Sequence, residues 1–182
     1  MIDILLPYHD RLAPRATASI DLVVIHCTEL PDLATAREYG ERIVYPGSGT
    51  GNSGHYYVDR DGSIVRYVPD ERVAHHCAGW NAQSIGIELV NLGRYPHWAD
   101  SRHQQFTEPY ADAQVAALLE LLAALRGRLP SLRRIAGHAD LDRRLEPASD
   151  EPGLLLRRRL DPGPLFPWDR VVAASGLERI SA

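Results

Sequence analysis

Two histidines and one aspartate lie at points in the sequence where they could bind a metal ion. His26 ends the apolar stretch DLVVIH, and His138 ends the stretch LRRIAGH. Asp161 lies in RRRLDPGPLFPW, where prolines restrict the backbone around it. Neutral imidazole and carboxylate oxygen suit a catalytic zinc ion, which commonly takes three protein ligands and leaves a fourth position for water. The three residues are therefore a candidate ligand set, and their wide spacing excludes a zinc finger.

Each of these residues also has a purely structural explanation. A polar residue at a strand end often pairs with a nearby backbone group, so His26 alone would be read as a hydrogen-bonded core histidine. Asp161 alone would fit a solvated surface turn. The chain contains eight histidines, and many such combinations would arise by chance. The residues by themselves leave both interpretations open.

A glutamate on another predicted strand is the candidate general acid and base. In SIGIELV, residues 84–90, alternation puts three apolar side chains on one face and Glu88 on the other, beside Ser84 and Gly86. We expect these small neighbours to leave open space beside the carboxylate. Amide hydrolysis needs a group that takes a proton from water and delivers one to the departing amine. The structural alternative for Glu88 is a salt bridge at a strand end.

The apolar pattern predicts an α/β fold with a central mixed β-sheet packed by helices. Predicted strands cover residues 21–27, 84–90 and 132–138, with a hairpin over 55–68 that turns at Asp61-Gly62. Predicted helices cover residues 31–45, 110–129 and 168–174. Such a sheet places His26, Glu88 and His138 at or near strand ends. We therefore expect their polar groups to converge on one rim of the sheet.

Length and composition indicate one globular domain over residues 1–182, since 182 residues with 45% hydrophobic content can bury a sizeable core. The formal charge of -4 argues against nucleic-acid binding, which usually requires a basic face. No apolar run approaches the roughly 20 residues that span a bilayer, and no secretion signal is visible. We expect a cytoplasmic protein without membrane insertion; a periplasmic or exported protein is the alternative.

Five blocks in order resemble the type-2 N-acetylmuramoyl-L-alanine amidases: VVIHCTE, GHYYVDRDGSIVRYVPDERVAHHCAGWN, SIGIELVN, AGHADL and DPGPLFPW. They extend from about Asp21 to Trp168, and five ordered blocks are far more specific than any single motif. This family includes bacterial cell-wall recycling and envelope amidases, phage lysozyme-type amidases and the peptidoglycan recognition proteins. The resemblance implies the fold that these proteins share.

The resemblance also implies roles for individual residues. It implies that His26, His138 and Asp161 hold one Zn²⁺, and that Glu88 stands where the bacterial amidases have their catalytic glutamate. It further implies a cation two residues before the aspartate, which is Arg159 in this chain and which could stabilise developing negative charge. The block HHCAGWN supplies candidate substrate-binding residues, an aromatic face for sugar rings and an amide for a peptide backbone: His76, Trp80 and Asn81.

The chain departs from the family in three places. Arg159 stands where lysine is more common, and arginine can stabilise an oxyanion but cannot plausibly shuttle a proton. Gly54 stands where phage-type members have tyrosine, so a tyrosine-assisted step is not available from that position. Residues 139–160 make the segment between the second histidine and the aspartate longer than is typical. We interpret this segment as an inserted loop that shapes substrate access.

The sequence therefore predicts a zinc-dependent N-acetylmuramoyl-L-alanine amidase. Its substrate would be peptidoglycan or a muropeptide, cut between N-acetylmuramic or anhydromuramic acid and L-alanine of the stem peptide. The alternative is a non-catalytic peptidoglycan-binding module, although such members typically lose a zinc ligand. A zinc peptidase acting on other amides is a third hypothesis. The sequence leaves open the choice between anhydromuropeptides and intact wall, and it leaves open the oligomeric state.

Overall fold

The structure, a computed structural model, describes residues 1–181. Its strands in chain order are β1 (Ile2–Asp3), β2 (Leu22–Cys27), β3 (Tyr56–Val58), β4 (Ile64–Arg66), β5 (Ser84–Leu89), β6 (Arg134–Gly137), β7 (Leu145–Pro147), β8 (Leu155–Arg157) and β9 (Glu178–Arg179). Its α-helices are α1 (Leu33–Glu41), α2 (Asp112–Arg128), α3 (His138–Leu141) and α4 (Trp168–Ser175). Seven strands form one sheet in the order β1-β4-β3-β5-β2-β6-β9, and β7 and β8 form a separate two-stranded ribbon.

The seven-stranded sheet is mixed, as predicted. Strands β2, β5 and β6 are parallel neighbours at its centre, whereas β3 and β4 pair antiparallel. The register places His26 opposite Glu88 and Ile25 opposite Gly137, the residue before His138. Because parallel strands end at the same edge of a sheet, these three strands deliver their polar residues to one rim. The predicted convergence of His26, Glu88 and His138 on that rim is confirmed.

The main core lies between the sheet and helices α2 and α4. On β5, Ile85, Ile87 and Leu89 are fully buried in this core, together with leucines of α2 such as Leu118 and Leu122. Fully burying one such side chain stabilises the fold by roughly 1.5–3 kcal/mol. Because Ile85, Ile87 and Leu89 are all buried in the same core, the predicted alternation along β5 is confirmed. Since the apolar face of β5 meets the helices, Ser84, Gly86 and Glu88 must face the opposite side of the sheet.

The predicted hairpin is present, with shorter strands than the pattern suggested. Strands β3 and β4 pair over three residues each, and the turn uses Gly62 at φ +88°, a left-handed conformation that glycine adopts without strain. The helices predicted over 31–45, 110–129 and 168–174 are all present as α1, α2 and α4; α1 and α2 are shorter than predicted, and α4 is one residue longer. The edge strands β1 and β9 were not predicted, because two-residue strands have no readable period.

The segment 139–160 is an ordered ribbon and not an irregular loop. After α3 the chain forms β7 and β8, which pair antiparallel. The ribbon is tied to the preceding loop, because Ser149 N–H donates to the carbonyl of Ala99 at 2.7 Å and Ser101 donates to the Asp150 carboxylate at 2.8 Å. Among residues 1–181, no helix combines the length and apolar character needed to cross a membrane.

Candidate metal centre

His26, His138 and Asp161 lie together although they are far apart in the sequence. Oδ2 of Asp161 is 3.0 Å from Nδ1 of His26 and 3.2 Å from Nδ1 of His138. One ligand atom from each of the three residues lies within 4.8 Å of the other two, and all three residues are buried. A single ion could contact all three side chains without rearrangement of the backbone.

Three different elements position these side chains. His26 is the penultimate residue of β2, and His138 is the first residue of α3, directly after β6. The Asp161 carbonyl accepts a hydrogen bond from Ala139 N–H at 2.9 Å, which ties the aspartate loop to the start of α3. Gly163 has φ +84°, and a Cβ there would collide with the Phe106 ring. The turn after Asp161 therefore needs glycine for both its conformation and its packing.

The protonation states of His26 and Asp161 fit a zinc ion. Burial lowers the pKa of His26 to about 4, so its imidazole is neutral at pH 7. Burial alone would raise the pKa of Asp161, but the adjacent His138 ring holds it well below its usual value. Oδ1 of Asp161 is buried and has no hydrogen-bond partner among the described residues. A neutral His26 imidazole, an ionised carboxylate and one unsatisfied buried oxygen are donors that suit zinc.

Glu88 borders the ligand set without belonging to it. Its Oε1 is 4.0 Å from Nδ1 of His26, and its side chain is 15% exposed and lines the neighbouring cleft. Burial, followed by the negative charge of Asp161, raises the pKa of Glu88 well above its usual value. A carboxyl group with a raised pKa can both accept and release a proton near neutral pH.

The expected open space beside Glu88 is not present. A Cβ on Gly86 would lie 2.6 Å from Cγ of His76, because the His76 ring packs directly over this glycine. A Cβ on Gly54 would lie 2.8 Å from Cγ of Glu88 itself. Other groups thus already fill the space that these small residues leave beside Glu88. The prediction of open space beside the carboxylate was wrong.

Arg159 lines the cleft next to the ligand set. Its side chain is partly buried, and Nε has no hydrogen-bond partner among residues 1–181. A permanently charged guanidinium with unsatisfied donors beside Asp161 can stabilise a negative charge that develops in the cleft. Arg159 thus lines the same cleft as Glu88 and Asp161, and its role as a donor to the oxyanion stays a prediction.

The cleft itself has a volume of about 400 Å³ and two chemically different walls. Tyr39 and Tyr45 lie on its lining with 37% and 42% of their surface exposed, and they provide aromatic faces. Arg144 and Arg158 also line it, and both contact the Asp142 carboxylate, through shortest contacts of 2.5 and 3.3 Å. Sequence reasoning missed all four. The arginine-rich composition of the segment 139–160 was the signal that could have identified Arg144 and Arg158 as cleft residues.

The three candidate substrate-binding residues have different surroundings. His76 and Asn81 line the cleft, whereas Trp80 does not: it packs against the small core cluster that includes Leu22 and Val24. Asn81 Oδ1 accepts hydrogen bonds from the backbone N–H groups of His76 at 3.0 Å and Cys77 at 2.7 Å. The amide oxygen of Asn81 is therefore committed to the turn, and the expected groove position of Trp80 is not observed.

The chain is similar in sequence to known N-acetylmuramoyl-L-alanine amidases. Residues 16–164 match the sequence model of the family described as N-acetylmuramoyl-L-alanine amidase. The 1,6-anhydro-N-acetylmuramyl-L-alanine amidase AmpD of Enterobacter cloacae is 32% identical in an alignment 122 residues long, which covers 62% of this chain and 51% of AmpD. The N-acetylmuramoyl-L-alanine amidase AmiD of Escherichia coli K12 is 31% identical in an alignment 117 residues long, which covers 59% of this chain and 36% of AmiD. In these sequence alignments the chain thus spans about half the length of AmpD and about a third of the length of AmiD.

Solved structures share the fold. The N-acetylmuramoyl-L-alanine amidase LysC from Clostridium intestinale superposes with a TM-score of 0.67 at 20% identity, covering 98% of this chain and 99% of LysC. AmiD from E. coli, solved in complex with the substrate anhydro-N-acetylmuramic acid-L-Ala-D-gamma-Glu-L-Lys, superposes with a TM-score of 0.66 at 27% identity. The match covers 91% of this chain and 61% of AmiD.

Proposed function

Because the chain belongs to the N-acetylmuramoyl-L-alanine amidase family, we propose that it hydrolyses the amide bond between a muramic acid and L-alanine of a peptidoglycan stem peptide. The observation that supports this best is the grouping of His26, His138 and Asp161 with Glu88 on one rim of the sheet. The muramic acid would be N-acetylmuramic acid or its 1,6-anhydro form, since several relatives are named for the anhydro sugar.

Zinc is the proposed cofactor, one ion per chain, held by His26, His138 and Asp161. When bound, zinc lowers the pKa of a coordinated water towards about 7 and polarises a carbonyl group. Two neutral imidazoles and one carboxylate leave the charge of the ion only partly compensated. This net positive charge suits a reaction in which an amide oxygen becomes negative.

Glu88 is the proposed general base and general acid. Its Oε1 would accept a proton from the attacking water and then deliver that proton to the nitrogen of the departing L-alanine. Burial favours this exchange, because the raised pKa of Glu88 brings it closer to the pH at which the reaction runs. No other carboxylate among the cleft residues serves as well, since Glu29 is held by Arg94 at 2.7 Å and Asp161 is a proposed ligand.

Arg159 is the proposed donor to the oxyanion. Its guanidinium retains its charge at all relevant pH values, so it can stabilise the tetrahedral intermediate without taking part in proton transfer. A lysine, which the family more often has here, would offer a single compact charge. The planar guanidinium offers several donors at once, which suits an oxyanion whose position shifts as the carbonyl carbon becomes tetrahedral.

The proposal is tested by incubating the protein with a synthetic anhydromuramyl tripeptide and identifying the products by mass spectrometry. We expect an intact anhydromuramic acid and a free peptide that begins with L-alanine. Purified protein should contain about one zinc per chain; chelation should abolish product release, and added zinc should restore it. Activity that persists after complete metal removal would exclude the zinc mechanism. Binding without cleavage by the zinc-loaded protein would support the peptidoglycan-binding module, and cleavage at another amide would indicate a peptidase.

A parallel digestion of intact sacculi measures which form of the substrate is preferred. The cleft has a volume of about 400 Å³, and it is lined by Arg144 and Arg158, which directly flank the ribbon of β7 and β8. We expect faster turnover of the soluble anhydromuropeptide, since a crosslinked glycan strand has to pass this ribbon. Equal rates on both substrates would contradict a role of the ribbon in restricting access.

A further inference from the structure

A chain of hydrogen bonds leads away from the candidate metal centre on the far side of His26. Nε2 of His26 lies 3.0 Å from Nδ1 of His76. Nε2 of His76 lies 3.2 Å from the hydroxyl of Ser84, and this hydroxyl lies 2.7 Å from the backbone carbonyl of Trp80. This series of hydrogen bonds thus connects His26, a proposed zinc ligand, to the backbone carbonyl of Trp80 through the side chains of His76 and Ser84.

The direction of every hydrogen bond in this chain follows from its last member. The Trp80 carbonyl can only accept, so the single hydroxyl proton of Ser84 is donated to it. The Ser84 oxygen must then accept from His76, which places the His76 proton on Nε2 and leaves Nδ1 as an acceptor. His26 must therefore donate from Nε2, and its Nδ1 has a lone pair.

This lone pair points to the remaining ligands. Nδ1 of His26 is 3.0 Å from Oδ2 of Asp161, so two acceptor atoms face each other at hydrogen-bonding distance. Two acceptors this close need a cation or a proton between them. The only ring proton of a neutral His26 is engaged on the opposite side, in the hydrogen bond to His76. The arrangement therefore favours a cation between His26 and Asp161.

We infer that His76 and Ser84 are positioning residues that fix His26 in the Nε2–H tautomer and orient its Nδ1 lone pair towards the metal. This inference rests on the proposed function of His26 as a zinc ligand. Groups that hydrogen-bond to a metal-ligating histidine fix both its tautomer and its ring orientation, and their loss typically reduces metal affinity about 10- to 100-fold. In this role His76 acts through His26.

The surroundings of His76 show how its position is maintained. Its ring fills the space over Gly86, where a Cβ would approach to 2.6 Å, and its backbone N–H donates to Asn81 Oδ1 at 3.0 Å. Trp80 provides the terminal carbonyl of the chain. The three residues that the sequence suggested for substrate binding, His76, Trp80 and Asn81, therefore all belong to one support for His26.

The test compares zinc affinity, measured by competition with a chelating indicator, in the wild type and in four variants. His76→Leu removes both hydrogen bonds, whereas His76→Gln retains an acceptor for His26 and a donor for Ser84. Ser84→Ala deletes a single oxygen. His75→Leu is the matched control, because this neighbouring histidine contacts Tyr45 and lies outside the chain of hydrogen bonds. We expect a dissociation constant about 10- to 100-fold higher for His76→Leu, a smaller rise for Ser84→Ala, partial recovery for His76→Gln and no change for His75→Leu.

A second readout is independent of the metal. Nitrogen-15 NMR of the histidine rings in the metal-free protein should show His26 Nε2 protonated and Nδ1 unprotonated, and Ser84→Ala should abolish this single-tautomer pattern. Thermal unfolding of each metal-free variant shows whether it is folded, and Ser84→Ala provides the test if His76→Leu is not. Unchanged zinc affinity in a folded His76→Leu and Ser84→Ala would overturn the inference while leaving the proposed function intact. A wild type that binds no zinc would overturn both.

Discussion

Replacing Glu88 with glutamine separates proton transfer from metal binding, because the two side chains have the same shape and only the carboxylate can act as a base. Two ligands of a tetrahedral zinc ion lie about 3.3–3.4 Å apart, given the usual metal–ligand lengths of about 2.0–2.1 Å. Glu88 Oε1 is 4.0 Å from Nδ1 of His26. Glu88 thus lines the cleft beside the three proposed ligands, where a base could accept a proton from water.

The expected loss follows from that position. General acid and base catalysis contributes about 10²- to 10⁴-fold, so Glu88→Gln should reduce kcat/KM by this factor, which corresponds to about 2.7–5.4 kcal/mol of transition-state stabilisation. Zinc content should remain at about one ion per chain, since Glu88 is not among the three ligands. Glu88→Asp keeps the carboxylate but shortens the side chain by one methylene group. Its activity should therefore fall between the activities of the wild type and Glu88→Gln.

The assay measures release of the L-alanine-terminated peptide from an anhydromuramyl tripeptide, together with zinc content and thermal unfolding of each variant. Burial raises the pKa of Glu88, so the folded metal-free protein holds this proton more tightly than the unfolded chain does. The wild type should therefore lose stability relative to Glu88→Gln as pH rises above about 4.5, the ordinary value for glutamate. A zinc-loaded Glu88→Gln that loses less than about tenfold in kcat/KM, or about 1.4 kcal/mol, would refute the assignment of Glu88 as the base.

Further predictions concern the other groups around the cleft. Arg159→Ala should lower kcat by about 10²- to 10³-fold with zinc retained, and Arg159→Lys should recover much of that loss; steady-state kinetics at saturating substrate measure both. Gly86→Ala should displace the His76 ring and destabilise the protein by about 1–3 kcal/mol, as measured by urea unfolding of the metal-free protein. The double change Arg144→Ala with Arg158→Ala should raise KM for stem peptides with free carboxylates more than KM for their amidated forms, with kcat nearly unchanged. Chelation should lower the unfolding temperature, because zinc at 100 times its dissociation constant stabilises the native state by about 2.7 kcal/mol.

The local pattern of apolar and polar residues was enough to predict the strands that carry His26 and Glu88. The apolar run before His26 and the alternation around Glu88 each define a strand and the face on which its residues lie. Both are local properties, and β2 and β5 follow them closely. The long helix α2 and the turn at Gly62 could be predicted equally well. The helix shows in the sequence as apolar residues at helical spacing, and the turn shows as the pair Asp61-Gly62.

Proximity between distant residues could not be read in this way. Asp161 is 135 positions from His26, and only a resemblance to a family suggested that they meet. The structure brings them together because β2 and β6 are parallel neighbours and the Asp161 carbonyl binds the start of α3. Such contacts depend on strand order and on the paths of the connections, which no short stretch of sequence specifies.

The sequence by itself determined the elements, the orientation of side chains within each strand and the types of residue that could do chemistry, because these follow from the period of a single segment. Only the tertiary structure decided what fills the space over Gly86. A histidine ring from another loop occupies it, and one proton on Ser84 sets the direction of the hydrogen bonds that reach His26. The role of His76 arises from three segments meeting in space, and so it could be recognised only after the fold had brought them together.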